Sequence, residues 1–217
     1  MKVLRISTLE EAAQLSLEKI KSVQNSPDSF SIALTGGNFG KSFLTQTSKL
    51  RQDISFWKIF VTDERLTSTL INSNSSMLLN KLESCRGFNK NNINFFNPSN
   101  NTLLECLDPI SKQVNSLQNK RLNFCLLSLG VDGHLAGHFK SSSPVVDDRF
   151  VYTKEAPKPN PFRISFNVSW LQKSDFVILC IKGEKKRKAF NDLMEDKGLH
   201  SGLNKKKDLL ILTDLVG

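Results

Sequence analysis

An aspartate and a histidine two residues apart, Asp132 and His134, lie in Gly130-Val131-Asp132-Gly133-His134, directly after the apolar run 122–129. The run reads as a buried strand. A strand that breaks into glycines followed by Asp and His is how an open α/β sheet presents polar side chains at its carboxyl edge, where ligands bind in such folds. Gly130 and Gly133 allow a tight turn and close backbone approach. An aspartate beside a histidine can hold the imidazole and stabilise its charged form, which suits general acid–base chemistry. The same residues also describe a common Asp-Gly turn with an ordinary loop histidine, so the pair gains weight only from its company.

Three further polar segments follow apolar runs. Phe30–Leu34 leads into Thr35-Gly36-Gly37-Asn38-Phe39-Gly40 and then a helix from about Lys41. A strand, a Gly-rich turn and a helix make a candidate phosphate cradle, because glycine lets backbone N–H groups approach an anion. The segment has neither the GxxxxGK[ST] nor the GxGxxG pattern, and a plain turn fits it about as well. Phe56–Val61 ends in Asp63-Glu64-Arg65, which also reads as a solvated turn. Phe176–Ile181 ends in the basic stretch Lys182–Lys188.

The elements that must position these residues can be read from periodicity. Thr8-Leu9-Glu10-Glu11 has capping-box spacing and opens a helix that runs to about Asn25–Pro27. Asn74–Leu82 and Leu103–Leu117 read as helices. So does the segment after the basic stretch, through about Met194. Residues 89–101 are Asn-rich surface connection with a brief strand over Ile93–Phe96, and Gly137–Asp148 reads as loop. Glu155–Pro161 is too Pro-rich for regular helix. Arg163–Val168 alternates like a strand, and Leu209–Leu212 reads as the last one. Alternating strands and helices predict an α/β, Rossmann-like fold, a mostly parallel sheet with helices on both faces. Parallel strands would bring 35–38, 63–65, 130–134 and 182–186 to one edge.

Composition narrows the function classes. The 217 residues suffice for one sizeable core, and the whole chain, 1–217, is read as a single domain. No apolar run approaches the ~20 residues of a membrane span. The N-terminal residues lack the apolar core of a signal peptide, so a cytoplasmic protein is expected. Cys85, Cys106, Cys125 and Cys180 are widely spaced and are expected to be buried, reduced thiols. The net charge of +9 suits nucleic acid or small anions. No nucleic-acid motif accompanies it, and most lysines are read as solvated surface. His134 and His138 stand four apart, but without HExxH or a suitably spaced acidic or cysteine partner they are not read as a zinc site.

Taken in order, the motifs resemble the 6-phosphogluconolactonase family, within the sugar-phosphate fold shared with glucosamine-6-phosphate isomerase and deaminase. Thr35-Gly36-Gly37-Asn38 resembles its phosphate loop. Trp57 with Asp63-Glu64-Arg65, Ser73-Asn74, Gly130–His134, the Pro-rich stretch before Arg163-Ile164, and Gly183–Lys186 match its later segments. Asn38-Phe39-Gly40 replaces the family's usual Ser/Thr-Thr-Pro, and Leu135–Lys140 replaces Thr-Ala-Ser-Leu-Phe-Pro. Isomerase and deaminase relatives carry a glutamate where this chain has Phe139, and tend to Asp-Glu-Tyr where it has Asp63-Glu64-Arg65; both differences favour the lactonase.

The resemblance implies hydrolysis of 6-phospho-D-glucono-1,5-lactone to 6-phospho-D-gluconate in the oxidative pentose phosphate pathway. It implies His134 as general base, oriented by Asp132, with Arg65 on the oxyanion or the phosphate. Thr35, Gly36, Gly37, Asn38, Asp63, Arg163 and Lys186 would bind substrate. No cofactor or metal is implied. The expected partner is the sugar-phosphate lactone, with neither nucleic acid nor membrane, in a monomer or homodimer. The competing expectations are a sugar-phosphate sensor without turnover and a sugar-phosphate isomerase or deaminase of the same fold.

Overall fold

The computed structural model describes residues 1–24, 29–67, 73–96, 102–144, 147–157, 160–200 and 202–216. In chain order the elements are β1 (Lys2–Arg5), α1 (Leu9–Val23), β2 (Phe30–Leu34), α2 (Gly37–Lys49), β3 (Trp57–Val61), β4 (Asp63–Arg65), α3 (Asn74–Leu82), β5 (Ile93–Asn94), α4 (Leu103–Asn115), β6 (Phe124–Ser128), β7 (Ser143–Pro144), β8 (Phe150–Thr153), β9 (Arg163–Phe166), α5 (Val168–Leu171), β10 (Phe176–Ile181), α6 (Arg187–Met194) and β11 (Leu209–Thr213).

The apolar runs become strands because both of their faces are covered. Seven strands form a sheet in the order β1-β11-β10-β6-β2-β3-β5, and every pairing is parallel. Side chains alternate between two cores. Phe124 and Leu126 of β6 join Ala12, Leu17 and Ile20 of α1 and Phe43 of α2 on one face. Cys125 and Leu127 join Ile110 of α4 and Phe190 of α6 on the other. A strand buried on both sides has no solvent face to make polar, which explains the near-continuous Leu, Ile, Val and Phe content.

A second, antiparallel sheet runs β4-β9-β8-β7. Phe150, Ile164 and Phe166 pack its inner side into the same core as α4 and α6. Phe166 stacks on Trp170 of α5, with ring centroids 4.9 Å apart.

The α/β layout, the parallel sheet and the helices on both faces agree with expectation. Four local readings need correction. The helix expected from about Lys41 begins at Gly37, so the Gly-rich turn is itself the first helical turn. Asp63-Glu64-Arg65 is a strand, not a solvated turn. The loop expected over 137–148 contains β7, which pairs with β8, a strand the sequence reading did not assign. Lys2–Arg5 is an edge strand on β11, too short and too exposed to give an alternation signal. The expected end of α1 at Asn25–Pro27 lies outside the described residues, as do Lys158 and Pro159. All four cysteines are buried and free; burial pushes the Cys85 thiol up to about 11. Among the described residues no helix is long and apolar enough to cross a membrane.

Candidate active site

Four adjacent strands of the parallel sheet, β10, β6, β2 and β3, end at the four polar segments. From β2 the chain moves outward through β3 to β5, then returns to place β6 on the other side of β2. The gap between β2 and β6 is therefore the point where strand order reverses, and open α/β sheets bind ligands outside such a point. The Gly-rich turn follows one of these strands and the Asp132–His134 turn follows the other.

Two glycines shape the turn after β6. Gly133 has φ +83°, a conformation disfavoured for residues with a Cβ. A Cβ on Gly130 would lie 2.1 Å from His134 Nδ1, so the imidazole rests directly against this backbone. The Gly130 N–H donates to the His134 carbonyl at 2.8 Å and closes the turn. His134 Nδ1 is in hydrogen-bond contact with an Asp132 oxygen. Burial pushes the Asp132 carboxyl up, but its bond to His134 and the charge of that ring outweigh burial and hold it below the usual range. An ionised Asp132 fixes the proton on Nδ1 and leaves Nε2 as the acceptor, the tautomer a general base needs. The His134 side chain is 16% exposed and stacks on Phe139, with centroids 4.4 Å apart.

The second sheet places the charges beside that histidine. On β4, Asp63 and Arg65 point to one face and Glu64 to the other, as strand alternation requires. In the register with β9, Arg65 lies opposite Arg163 and Asp63 opposite Ser165. Directly opposed like charges are unfavourable in a sheet, so two facing arginines mark a surface suited to an anion. Arg163 is 4% exposed. Its burial and the nearby Arg65 lower its pKa, while Asp63 and Glu64 oppose them. Asp63 is pushed up by burial, against a hydrogen bond from Thr62 and the charges of His134, Arg163 and Arg65.

The loop after His134 is pinned onto this face. The Gly137 N–H donates to Ser165 Oγ at 3.0 Å, and Thr153 Oγ1 donates to the Gly137 carbonyl at 3.0 Å. A Cβ on Gly137 would approach the Cβ atoms of Ser165, Asp63 and Arg163 at 2.9, 3.2 and 3.4 Å.

The first turns of α2 and α3 complete the edge. Gly36 caps α2 without a side-chain hydrogen bond, and no acidic residue stands in the first turn. Gly37 has φ +70°. Gly37 and Asn38 are exposed at this terminus, while Thr35 is buried with its N–H on the Leu126 carbonyl. Among the described residues no side chain caps these amides, and with the helix dipole they suit an anion. In α3, by contrast, Glu64 accepts the N–H groups of Asn74 and Ser75 at 2.9 and 2.8 Å, and the Ser75 hydroxyl as well. Asn74 Nδ2 donates to the Asp63 carboxylate and carbonyl, both at 3.0 Å. Gly36 packs against that same Asn74 side chain; a Cβ would meet its Oδ1 at 2.3 Å. Lys186 Nζ reaches Ser128 Oγ at the end of β6, at 3.5 Å.

The structure thus brings Asp132, His134, Asp63, Arg65, Arg163, Gly36, Gly37, Asn38 and Lys186 to one sheet edge. The sequence reading did not single out Glu64, Ser165, Thr153 or Gly137 as parts of the site. Alternation in Asp63-Glu64-Arg65 and Arg163-Ile164-Ser165 was the available signal for the first two; the Thr153 and Gly137 contacts depend on the second sheet. Among the described residues no group of three or more His, Cys, Asp or Glu side chains is placed to hold a metal ion.

The family model for glucosamine-6-phosphate isomerases/6-phosphogluconolactonase matches residues 6–204. A probable chloroplastic 6-phosphogluconolactonase 3 of Oryza sativa subsp. indica is 29% identical over 195 residues, 80% of this chain. The chain spans 58% of that protein's length and 26% of a second rice relative, a probable chloroplastic 6-phosphogluconolactonase 4. Among solved structures, a 6-phosphogluconolactonase from Thermotoga maritima is similar with TM-score 0.82 at 18% identity, over 98% of both chains. A monomeric glucosamine-6-phosphate deaminase is similar with TM-score 0.81 at 18% identity, over 98% of this chain and 97% of its own. The fold is therefore common to both chemistries and does not choose between them.

Proposed function

The chain belongs to the glucosamine-6-phosphate isomerase/6-phosphogluconolactonase family, and on that premise we propose that it hydrolyses 6-phospho-D-glucono-1,5-lactone to 6-phospho-D-gluconate, the lactone step of the oxidative pentose phosphate pathway. The observation that carries the reading is the Asp132–His134 pair across the β2/β6 gap from the unfilled α2 terminus. A base at one side and an anion site at the other suit a phosphorylated ester. Phe139 favours the lactonase over the ring-opening isomerases. It fills the position of their glutamate, cannot transfer a proton, and stacks on His134 instead.

In this mechanism a water lies against His134 Nε2. His134 takes its proton as the oxygen attacks C1, and Asp132 stabilises the imidazolium. The carbonyl electrons move onto oxygen, and Arg65 stabilises the tetrahedral oxyanion. Collapse breaks the bond from C1 to the ring oxygen, which takes the proton back from His134. The 6-phosphate rests on the amides of Gly36, Gly37 and Asn38, with Lys186 and Arg163 adding positive charge. Asp63 holds sugar hydroxyls. The 217 residues act as one unit, and the proposed location is the cytoplasm; the rice relatives are named chloroplastic, and cell fractionation decides.

The test is hydrolysis of freshly generated lactone above its uncatalysed rate. His134→Ala is expected to lower turnover by ~10²–10⁴-fold. Full activity in that variant would remove His134 from the mechanism. Saturable binding of 6-phosphogluconate with no rate acceleration would instead establish the sensor reading, which the replacement of the usual hydroxyl by Asn38 in the phosphate loop favours.

A further inference from the structure

The chain has three histidines, and all three converge beside β6. His138 and His200 meet edge to face, with ring centroids 5.2 Å apart and planes at 72°. His138 Nδ1 and His200 Nε2 are both buried without a hydrogen-bond partner among the described residues. His200 is 8% exposed. It lines a cavity of about 200 Å³ behind the catalytic turn, together with Leu129, Asp132 and Gly133.

His138 belongs to the loop that holds the proposed base. Its N–H donates to the Leu135 carbonyl at 2.9 Å, and Leu135 bridges both to it and to Leu129. The next residue, Phe139, carries the ring on which His134 stacks. One side of this loop is tied to the second sheet through Gly137. The other side is held by the contact of His138 with His200.

We infer that the ring pair His138–His200 is a positioning clamp for the loop that carries His134, and that protonating the pair releases the loop. The clamp rests on the proposed role of His134 and adds a function for two residues outside the proposed chemistry. Two imidazolium rings at this separation repel one another, and the burial of His200 and of His138 Nδ1 limits the water that would solvate the charge. The surrounding charges give little relief. Asp132 lies on the turn, Lys188 and Asp192 on α6, and Lys197 on the segment that leads to His200. Of these, Lys188 pairs with Asp192 at 2.6 Å, Lys197 with Glu195 at 2.6 Å, and Asp132 with His134. Burial lowers the pKa of His138. Burial, with the charges of His138 and His134, pushes that of His200 down to about 3. In the unfolded chain both rings titrate near the ordinary value of about 6.5, so each opposes folding increasingly as pH falls below that value.

The experiment follows log(kcat/KM) against pH between about 2.5 and 8 in wild type, His138→Leu and His138→Ala, a range that reaches the acid at which His200 protonates. The leucine keeps an apolar brace against His200 and removes one titrating ring; the alanine removes both. Wild type is expected to lose activity in acid with a slope that steepens beyond one proton, because the pair takes up protons of its own. His138→Leu is expected to keep a slope of one and at least tenfold more of its pH 8 rate at the acid end. His138→Ala is expected to lose kcat at every pH by about tenfold. Superimposable wild-type and His138→Leu profiles would overturn the clamp.

A second measurement holds even if the chain hydrolyses no lactone. With three imidazoles in the protein, ring NMR signals can be assigned from single variants. The wild-type His134 signal is expected to shift when the pair titrates, and His138→Leu is expected to abolish that shift. A His134 titration identical in both proteins would overturn the clamp, whatever the chain's activity.

Discussion

The N-termini of α2 and α3 lie against one another at the carboxyl edge of the sheet, and the chain treats them in opposite ways. Every helix begins with backbone N–H groups that lack intrahelical partners and with the positive end of its dipole. In α3 the chain supplies the anion itself: Glu64 takes the amides of Asn74 and Ser75, and Ser73 Oγ takes that of Ser76 at 2.9 Å. In α2 the cap is a glycine with no side-chain bond, and the first turn holds no acid. A terminus satisfied from within holds structure. A terminus left unfilled beside it, on a rigid neighbour, is available to an outside anion.

The largest expected effect comes from giving α2 what α3 already has. Gly37 has φ +70°, and a Cβ added there would meet no atom within 4 Å; Asp and Asn tolerate that backbone best after glycine. Gly37→Asp would place a carboxylate on the α2 amides. At about 5 Å and an effective dielectric near 20, it would oppose a substrate phosphate by about 3 kcal/mol, roughly a hundredfold in kcat/KM. Gly37→Asn has nearly the same shape without the charge and is expected to lose less than about tenfold on the same electrostatic argument. Steady-state kinetics on both variants checks this. Equal losses would mean that shape, not an anion site, governs this terminus.

The reverse change empties α3. Glu64→Ala removes the acceptor of three amides and a hydroxyl in a site that water does not reach, and is expected to cost about 3 kcal/mol in urea unfolding. Because Asn74 orients both Asp63 and Gly36, kcat/KM is expected to fall by about tenfold in the protein that remains folded. Glu64→Gln retains one acceptor oxygen and is expected to cost about half as much.

The pH dependence has a definite sign. Burial pushes the Glu64 carboxyl up, against its hydrogen bonds from Ser75, Arg65 and Asn74. Its contribution is therefore fully present below the unfolded carboxylate pKa and declines as pH rises through the folded one. The stability gap between wild type and Glu64→Gln should be wider at pH 4 than at pH 7. A gap that widens toward neutral pH would contradict this assignment.

The contrast also shows what the sequence could reveal. The parallel sheet was legible because strands such as Phe176–Ile181 are buried on both faces and read as unbroken apolar runs. Asp132 and His134 were legible because they follow such a strand within one turn. The second sheet was not. Its strands are two to four residues long, and β4 consists of three charged residues whose burial depends on partners far along the chain. Glu64 looks like a surface residue until α3, ten positions later, supplies the donors that satisfy it. The start of α2 was misplaced because two glycines are poor helix formers; adjacency to α3 and β6 holds them there.

The smallest expected effect comes from a terminus that is capped but remote. Thr102 and Glu105 form a reciprocal capping box at the start of α4, with Thr102 Oγ1 accepting the Glu105 N–H at 3.2 Å and Glu105 Oε2 accepting the Thr102 N–H at 3.0 Å. These bonds are exposed, so water replaces them when they are lost. Thr102→Ala is therefore expected to cost about 1 kcal/mol, a fall of about 2–4 °C in Tm. Neither residue touches the β2/β6 gap, so kcat/KM should remain that of wild type. The value of this variant lies in its pairing with Glu64→Ala. If both caps only stabilise, activity at a temperature well below either Tm should be equal in the two proteins. If Glu64 also positions Asn74, only Glu64→Ala loses kcat/KM there. A matching loss in Thr102→Ala would show that α3's internal anion is an ordinary cap, and that the difference between the two neighbouring termini has no bearing on catalysis.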